Sequence, residues 1–221
     1  MVEMVEYLDS VDSQLMLTLN SMYVSALDQW WYMVSYKLTW IPLYLAILFA
    51  VLYRYGKSKQ TIAAIFLFAI AITLTDQTCS GLLKPLVARM RPSNTNGDIW
   101  QMIHIVNGYR GGPYGFPSSH AGNSFAVMTL VMMLFRNRIV SVFFVFWAVV
   151  HSYSRIYLGV HYPGDVMVGL LIGVIYSYLA YKIFDHYFRF QNVRSTKYEI
   201  VMPAVGMTTF VVITILSMTV Y

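Results

Sequence analysis

Charge is what this chain has least of. Asp, Glu, Lys and Arg make up 11% of its 221 residues, where a soluble domain carries about 25%. Too few charges remain to coat a water-facing surface of this size, so lipid must cover part of it. The single cysteine, Cys79, excludes an intramolecular disulfide and lies in an apolar stretch, as a small buried thiol would. Acids are scarcer than bases, 10 against 15, for a net charge of +5. The bases form short clusters between apolar runs rather than one basic face, which argues against a nucleic-acid partner. The N-terminus lacks the basic region and apolar core of a cleavable signal peptide and carries Glu3, Glu6, Asp9 and Asp12 instead. What is abundant is apolar: 58% hydrophobic residues and a mean hydropathy of +0.57. Eighteen Tyr and five Trp suit rings gathered at a membrane–water boundary.

Apolar runs of roughly twenty residues fall at about 38–55, 61–83, 118–135, 139–157, 163–183 and 201–221. The expected fold is therefore all-α, a bundle of six transmembrane helices. Residues 1–36 differ. Leu8, Val11, Leu15, Leu19 and Met22 recur at helical spacing among polar residues, and Trp30, Trp31 and Tyr32 follow. That pattern predicts an N-terminal amphipathic helix in the membrane interface, or one packed on the bundle facing water. The expected organisation is thus an interfacial segment 1–36 and a six-span domain 37–221.

Arg54, Lys57, Lys59, Arg136, Arg138, Lys182, Arg189, Arg194 and Lys197 all fall in the loops after spans one, three and five. By the positive-inside rule those loops are cytoplasmic. Most acids lie on the other side. Both termini are then expected outside, the periplasmic side of a bacterial inner membrane.

Three stretches place ionisable groups at that outer edge: Lys84-Pro85-Leu86-Val87-Ala88-Arg89-Met90-Arg91-Pro92, Pro117-Ser118-Ser119-His120, and Ser154-Arg155 followed by His161-Tyr162-Pro163-Gly164-Asp165. Lys84, Arg91 and Arg155 offer fixed positive charge, and guanidinium forks match phosphate oxygens. Pro117-Ser118-Ser119 reads as a helix start whose free backbone N–H groups bind an anion. Asp165, four residues after His161, can hold one imidazole nitrogen and leave the other free to attack. His120, with no adjacent acid, is placed to protonate a leaving alkoxide. This is the equipment of two-step phosphoryl transfer with a phosphohistidine on His161. No step needs a metal or other cofactor, and the spacing of His, Asp and Glu lacks the usual zinc and calcium patterns. Each cation alone reads as a snorkelling anchor. His104, His151 and His186 are assigned structural roles. Six charged and imidazole groups at matched depth make the joint pattern specific.

These stretches resemble the phosphatidic acid phosphatase type 2 (PAP2) superfamily, whose signature is K-x6-R-P, P-S-G-H and S-R-x5-H-x3-D. Lys84, Arg91 and Pro92 match the first element, and Ser154, Arg155, His161 and Asp165 the third. Pro117, Ser118 and His120 match the second, where Ser119 replaces Gly and keeps its backbone N–H. The resemblance implies a helical membrane enzyme, a phosphoric ester hydrolase acting on a phospholipid or glycolipid phosphate in the bilayer, with the same roles for these residues. The polar, Gly-rich loop 92–117 is a candidate headgroup reader, and Arg89 and Arg110 are candidate headgroup contacts. The loop suits a sugar phosphate, so lipid A is the leading substrate, with undecaprenyl pyrophosphate and phosphatidylglycerophosphate as alternatives. Two other classes compete: a vanadate-dependent haloperoxidase, and a non-catalytic protein that binds anionic lipid. No oligomeric state is assigned, because an apolar face on a membrane bundle serves lipid and another copy equally.

Overall fold

The computed structural model describes residues 2–190 and 197–219; Arg194, used above for orientation, lies outside them. The chain opens with α1 (Val2–Ser21) and a shorter α2 (Asp28–Ser35), followed by α3 (Ile41–Tyr55) and α4 (Lys59–Asp76). A π-helical stretch, Gln77–Leu83, carries α4 into α5 (Lys84–Val87). A long loop leads to α6 (Ser119–Phe135), α7 (Arg138–Tyr157), α8 (Pro163–Phe188) and α9 (Val201–Thr219). Among the described residues there is no strand, only one antiparallel bridge between Met90 and Tyr114. Five helical segments among the described residues are long and apolar enough to cross a membrane: Lys37–Tyr55, Lys59–Val87, Arg138–Tyr157, Pro163–Phe188 and Lys197–Thr219. The third expected span, α6, is apolar but has 17 residues. The expected N-terminal helix is two helices with a short turn between them.

Local chemistry sets the helix starts. The Ser118 hydroxyl caps α6 by accepting from the Ala121 N–H. The Asn137 carbonyl oxygen caps α7, accepting from Ile139 at 3.0 Å and Val140 at 3.3 Å. Pro163 opens α8, where a ring without an N–H costs nothing. α6 packs closely against α8 because glycines line the seam. A Cβ on Gly169 would sit 2.2 Å from the Ser118 carbonyl oxygen, and one on Gly173 2.1 Å from that of Gly122. Helices sharing a lipid environment gain little from hydrophobic burial, so close backbone approach of this kind is what holds them.

The rest of the core is aromatic. Trp40, Phe135, Phe144 and Trp147 are fully or almost fully buried, and Trp40 meets Trp147 edge-on at 5.6 Å. Toward the opposite end from the motif residues, Arg54 of α3 forms a buried ion pair with Glu199 in the turn before α9. α1 lies over the motif end. Buried Asn20 donates to the Ile156 and Tyr157 carbonyls at 3.1 and 2.9 Å, and its own carbonyl accepts from the His104 N–H at 2.7 Å. Met16 packs beside it against Ile99, Ile103, Ile156 and Tyr162.

The seam is directly testable. Gly173→Leu forces α6 and α8 apart and is expected to destabilise the protein by roughly 1–3 kcal/mol or more, read as a lowered unfolding midpoint in detergent. Leu171→Ala, on an outward-facing position of the same helix, is expected to leave the midpoint nearly unchanged.

Candidate active site

His161 follows the end of α7 and Asp165 lies in the first turn of α8, so a helix–turn–helix joint holds the pair. His161 is 1% exposed and Asp165 is fully buried. The imidazole Nδ1 lies 3.3 Å from Asp165 Oδ2, which also accepts from the Tyr162 N–H at 3.0 Å. On the other side, Nε2 lies 3.0 Å from Nη1 of Arg91. A guanidinium only donates, so Nε2 must be the acceptor and Nδ1 carries the proton. The nitrogen that carries the lone pair is therefore the one facing the cation, and Arg91 occupies that lone pair in the resting site.

Arg91 reaches this position through the bridge beside Met90. The Gly115 N–H donates to the Arg89 carbonyl at 2.9 Å and the Arg91 N–H to the Pro113 carbonyl at 3.3 Å, holding residues 89–91 extended. In an extended segment, alternate side chains share a face. Arg89 and Arg91 thus both point at the His161–Asp165 pair, while Met90 points away. Arg91 is fixed further by the Gly112 and Val160 carbonyls, at 2.7 and 2.8 Å. Burial and the nearby Arg155 pull its pKa down to about 10, still fully charged at neutral pH.

Arg155, 2% exposed, is held by hydrogen bonds to the Ser35 hydroxyl and, at 3.3 Å, to the Tyr109 hydroxyl. Burial alone would raise the Tyr109 pKa, but Arg155, Arg91 and Lys37 bring it below its ordinary value. Lys84 donates to the Ser119 hydroxyl at 3.3 Å. The Ser119 and His120 N–H groups that open α6 have no helical acceptor and belong to the helix end that Lys84 meets through the Ser119 hydroxyl. Burial first, then the charges of Arg91, Arg155 and Lys84, hold His161 well below the usual imidazole range, so the ring is neutral. The motif residues of all three stretches are thus brought together, with His120 in electrostatic range of His161 and Arg155. The His120 ring stacks on His151 at 6.0 Å, and His151 bonds the Ser124 hydroxyl at 2.8 Å. His104 pairs with Asp28 at 2.9 Å and His186 is exposed.

The structure places the two candidate headgroup arginines differently from that expectation. Arg89 meets three carboxylates: Asp165 Oδ1 at 2.9 Å, Asp12 Oδ2 at 2.7 Å and Asp9 Oδ1 at 2.7 Å. It also lies 3.8 Å above the Tyr162 ring. Burial opposes its charge, but these acids outweigh that and raise its pKa. Arg110 turns back into its own loop, donating to the Ser93 carbonyl and lying over Trp100. Motif spacing does not point to Asp9, Asp12, Ser35, Tyr109 or Gly115. Asp9 and Asp12 lie three apart in α1 and so share a helix face, a pattern that suits a common cationic partner. A Cβ on Gly115 would lie 2.8 Å from Asp165 Oδ2 and 3.6 Å from His161 Nδ1.

Two cavities meet at His120. One, of about 360 Å³, is an apolar groove walled by Tyr44, Ile47, Leu48 and Val51 of α3 and Ile65, Phe68 and Ile72 of α4. The other, of about 430 Å³, is lined by Tyr32, Tyr36, Lys37, Tyr109 and Arg155. The arrangement can hold a tetrahedral anion against a neutral, acid-oriented imidazole, with an apolar body lying alongside.

Comparison with known proteins follows this geometry. Residues 62–189 match the PAP2 superfamily. A lipid A 4′-phosphatase of Bacteroides thetaiotaomicron is 42% identical over 182 residues, covering 81% of this chain and 80% of its own. One from Porphyromonas gingivalis is 36% identical over 81% of this chain and 75% of its own. Among solved structures, a transmembrane PAP2-type phosphatidylglycerolphosphate phosphatase from Bacillus subtilis superposes with a TM-score of 0.62. It is 20% identical, over 83% of this chain and 89% of its own. Aquifex aeolicus LpxE gives 0.53 at 22% identity, over 76% and 93%. These two share the fold.

Two outcomes test the geometry. Gly115→Ala pushes Asp165 off its imidazole and is expected to lower kcat about 100-fold, with the unfolding midpoint little changed. The second concerns protons. Folded His161 stays neutral where an unfolded histidine, with a pKa of about 6.5, already takes one up. The unfolded state then binds more protons, so His161 contributes full stability above pH 6.5 and loses it progressively on acidification. Between pH 7 and pH 5 the unfolding midpoint of the wild type should fall more steeply than that of His161→Asn.

Proposed function

This chain belongs to the PAP2 superfamily, and on that premise we propose that it is a lipid A phosphatase, removing the 4′-phosphate through a phosphohistidine on His161. It is a multi-pass membrane phosphatase. The observation that carries the substrate is the pairing of a buried phosphate cradle with an apolar groove at His120, in a chain 42% identical to a lipid A 4′-phosphatase.

His161 Nε2 attacks phosphorus as the bond to the sugar oxygen breaks. Arg91 already donates to that nitrogen, so an arriving phosphate takes the guanidinium and frees the lone pair in one exchange. Lys84, Arg155 and the N–H groups opening α6 balance the charge on the equatorial oxygens. Asp165 keeps the proton on Nδ1 and steadies the cation formed as the nitrogen becomes phosphorylated. His120 takes up a proton once the phosphate dianion is bound beside it and gives that proton to the departing oxygen; it then takes one from the water that attacks the phosphohistidine, and inorganic phosphate leaves. Arg89 acts behind Asp165 rather than on the headgroup.

The topology belongs to the same reading. α6 serves as a sixth span, and residues 1–36 form the interfacial segment, roofing a site in domain 37–221. The basic clusters Arg54–Lys59 and Arg136–Arg138 lie in the cytoplasm. The active site and termini then face the periplasm from a bacterial inner membrane, where lipid A is available.

Purified enzyme incubated with lipid A, undecaprenyl pyrophosphate and phosphatidylglycerophosphate should release phosphate fastest from lipid A. His161→Ala should reduce release to background and abolish acid-labile labelling of the protein by 32P-lipid. Much faster turnover of undecaprenyl pyrophosphate would overturn the substrate assignment, and unimpaired His161→Ala the mechanism.

A further inference from the structure

The cations around the site are nearly all spoken for. Arg89 is held by carboxylates, Arg91 and Arg110 by carbonyls, Arg155 by Ser35 and Tyr109, and Lys84 by Ser119. Lys37 is different. Among the described residues it makes no hydrogen bond or ion pair, and its side chain lines both cavities that meet at His120. It stands in the turn Lys37–Trp40 that feeds α3, at the membrane end where the motif residues gather. An anchoring lysine there runs against the charge asymmetry of the sequence, whose basic loop clusters Arg54–Lys59 and Arg136–Arg138 belong to the opposite end.

The second cavity, walled by tyrosines beside Lys37 and Arg155, has the character of a sugar site. Tyr32, Tyr36 and Tyr109 present rings and hydroxyls around about 430 Å³. Tyr32 meets Tyr109 edge-on at 6.0 Å, so those two walls are rigid, while Tyr36 is half exposed at the rim. Aromatic faces pack on the C–H surface of a pyranose, and an ammonium with three free donors serves its oxygens. Direction follows from the chemistry. In an in-line displacement the leaving oxygen departs opposite His161, toward His120, so the leaving group must lie where the two cavities join.

We propose that Lys37, with Tyr32, Tyr36 and Tyr109, forms a carbohydrate subsite that holds the leaving sugar of a glycolipid phosphate while its acyl chains occupy the apolar groove. This rests on the lipid A reading above and goes beyond it by naming residues outside every family motif. Lys37 donates to oxygens of the sugar and does not touch the transferred phosphate. It therefore contributes to substrate affinity and specificity, separately from the cradle of Lys84, Arg91 and Arg155.

Two measurements on the full-length enzyme in detergent test it: lipid A kinetics, and inhibition by inorganic phosphate, which fills the cradle and has no sugar. Lys37→Gln is expected to raise the KM for lipid A about tenfold with kcat within twofold, and to leave the inhibition constant for phosphate unchanged. Lys37→Arg should restore most of the affinity. Weakened phosphate inhibition in Lys37→Gln would make Lys37 part of the cradle and overturn the proposal. So would an unchanged KM for lipid A. If the wild type does not hydrolyse lipid A at all, the functional reading itself fails and the sugar subsite with it. Hydrolysis that is indifferent to Lys37 removes the subsite alone.

Discussion

A single buried carboxylate ties the site together. Asp165 is inaccessible to solvent, and an unpaired ion there would be prohibitively costly. Its side chain is satisfied from three sides: the Tyr162 N–H, the His161 ring and the Arg89 guanidinium. Its main-chain carbonyl accepts from the Ser118 N–H at 2.9 Å, which fixes the start of α6 against the start of α8. The same residue thus orients the imidazole and seats the helix end that offers N–H groups to an anion. That contact requires the two helices to approach closely, and the glycines of the α6–α8 seam permit it. Core packing and site geometry are one constraint seen from two ends.

The positive charges are arranged so that little has to move when an anion arrives. Three cations near one another repel, and the structure meets that cost by tying each to a neutral acceptor or hydroxyl. Among the described residues no carboxylate neutralises any of them, so their field stays available to a phosphate, in a site where low dielectric strengthens it. Arg89 is the exception that explains the pattern. Of the cations at the site it is the one that meets acids among the described residues, three of them, and it stands behind Asp165. Through Asp12, which also accepts from the Gly164 N–H at 2.8 Å, this second layer binds α1 to the start of α8. The N-terminal helix is therefore part of the wall of the site.

The primary structure makes the chemistry more legible than its support. Lys84, Arg91, His120, Arg155, His161 and Asp165 are readable because chemistry demands fixed residue types at fixed spacing, and two of the spacings are local to one turn or helix end. The apolar runs are equally plain, since lipid imposes a length. What the sequence hides is long-range pairing. Nothing local to Arg89 says that its partners are some eighty residues earlier in α1, nor that Ser35 and Tyr109 converge on Arg155. Gly115 looks like one more loop glycine, and only the position of Asp165 explains why a side chain cannot fit there. Arg89 and Arg110, exposed-looking basic residues in a loop region, read as headgroup contacts because sequence shows charge but not the acceptor that satisfies it.

The length of α6 bears on how a membrane lipid reaches a buried histidine. Seventeen residues rise only about 25 Å, short of a hydrocarbon core of about 30 Å. Its neighbour from Lys59 to Val87 has 29 residues and rises well beyond it. If α6 is the sixth span, as the proposed topology has it, the turn carrying Arg136 and Arg138 marks one face of the membrane and the shortfall falls at the other end, at Ser118 and Ser119. The anion-binding end of α6 is then sunk below the headgroup plane, and the apolar groove between α3 and α4 meets it from the side at His120. A phosphate on a lipid needs to descend only a few ångströms to enter the cradle, while its chains stay among apolar side chains. A free phosphomonoester in water would gain the cradle but nothing from the groove. On the proposed topology the short helix biases the site toward substrates already in the bilayer, before any headgroup contact is made.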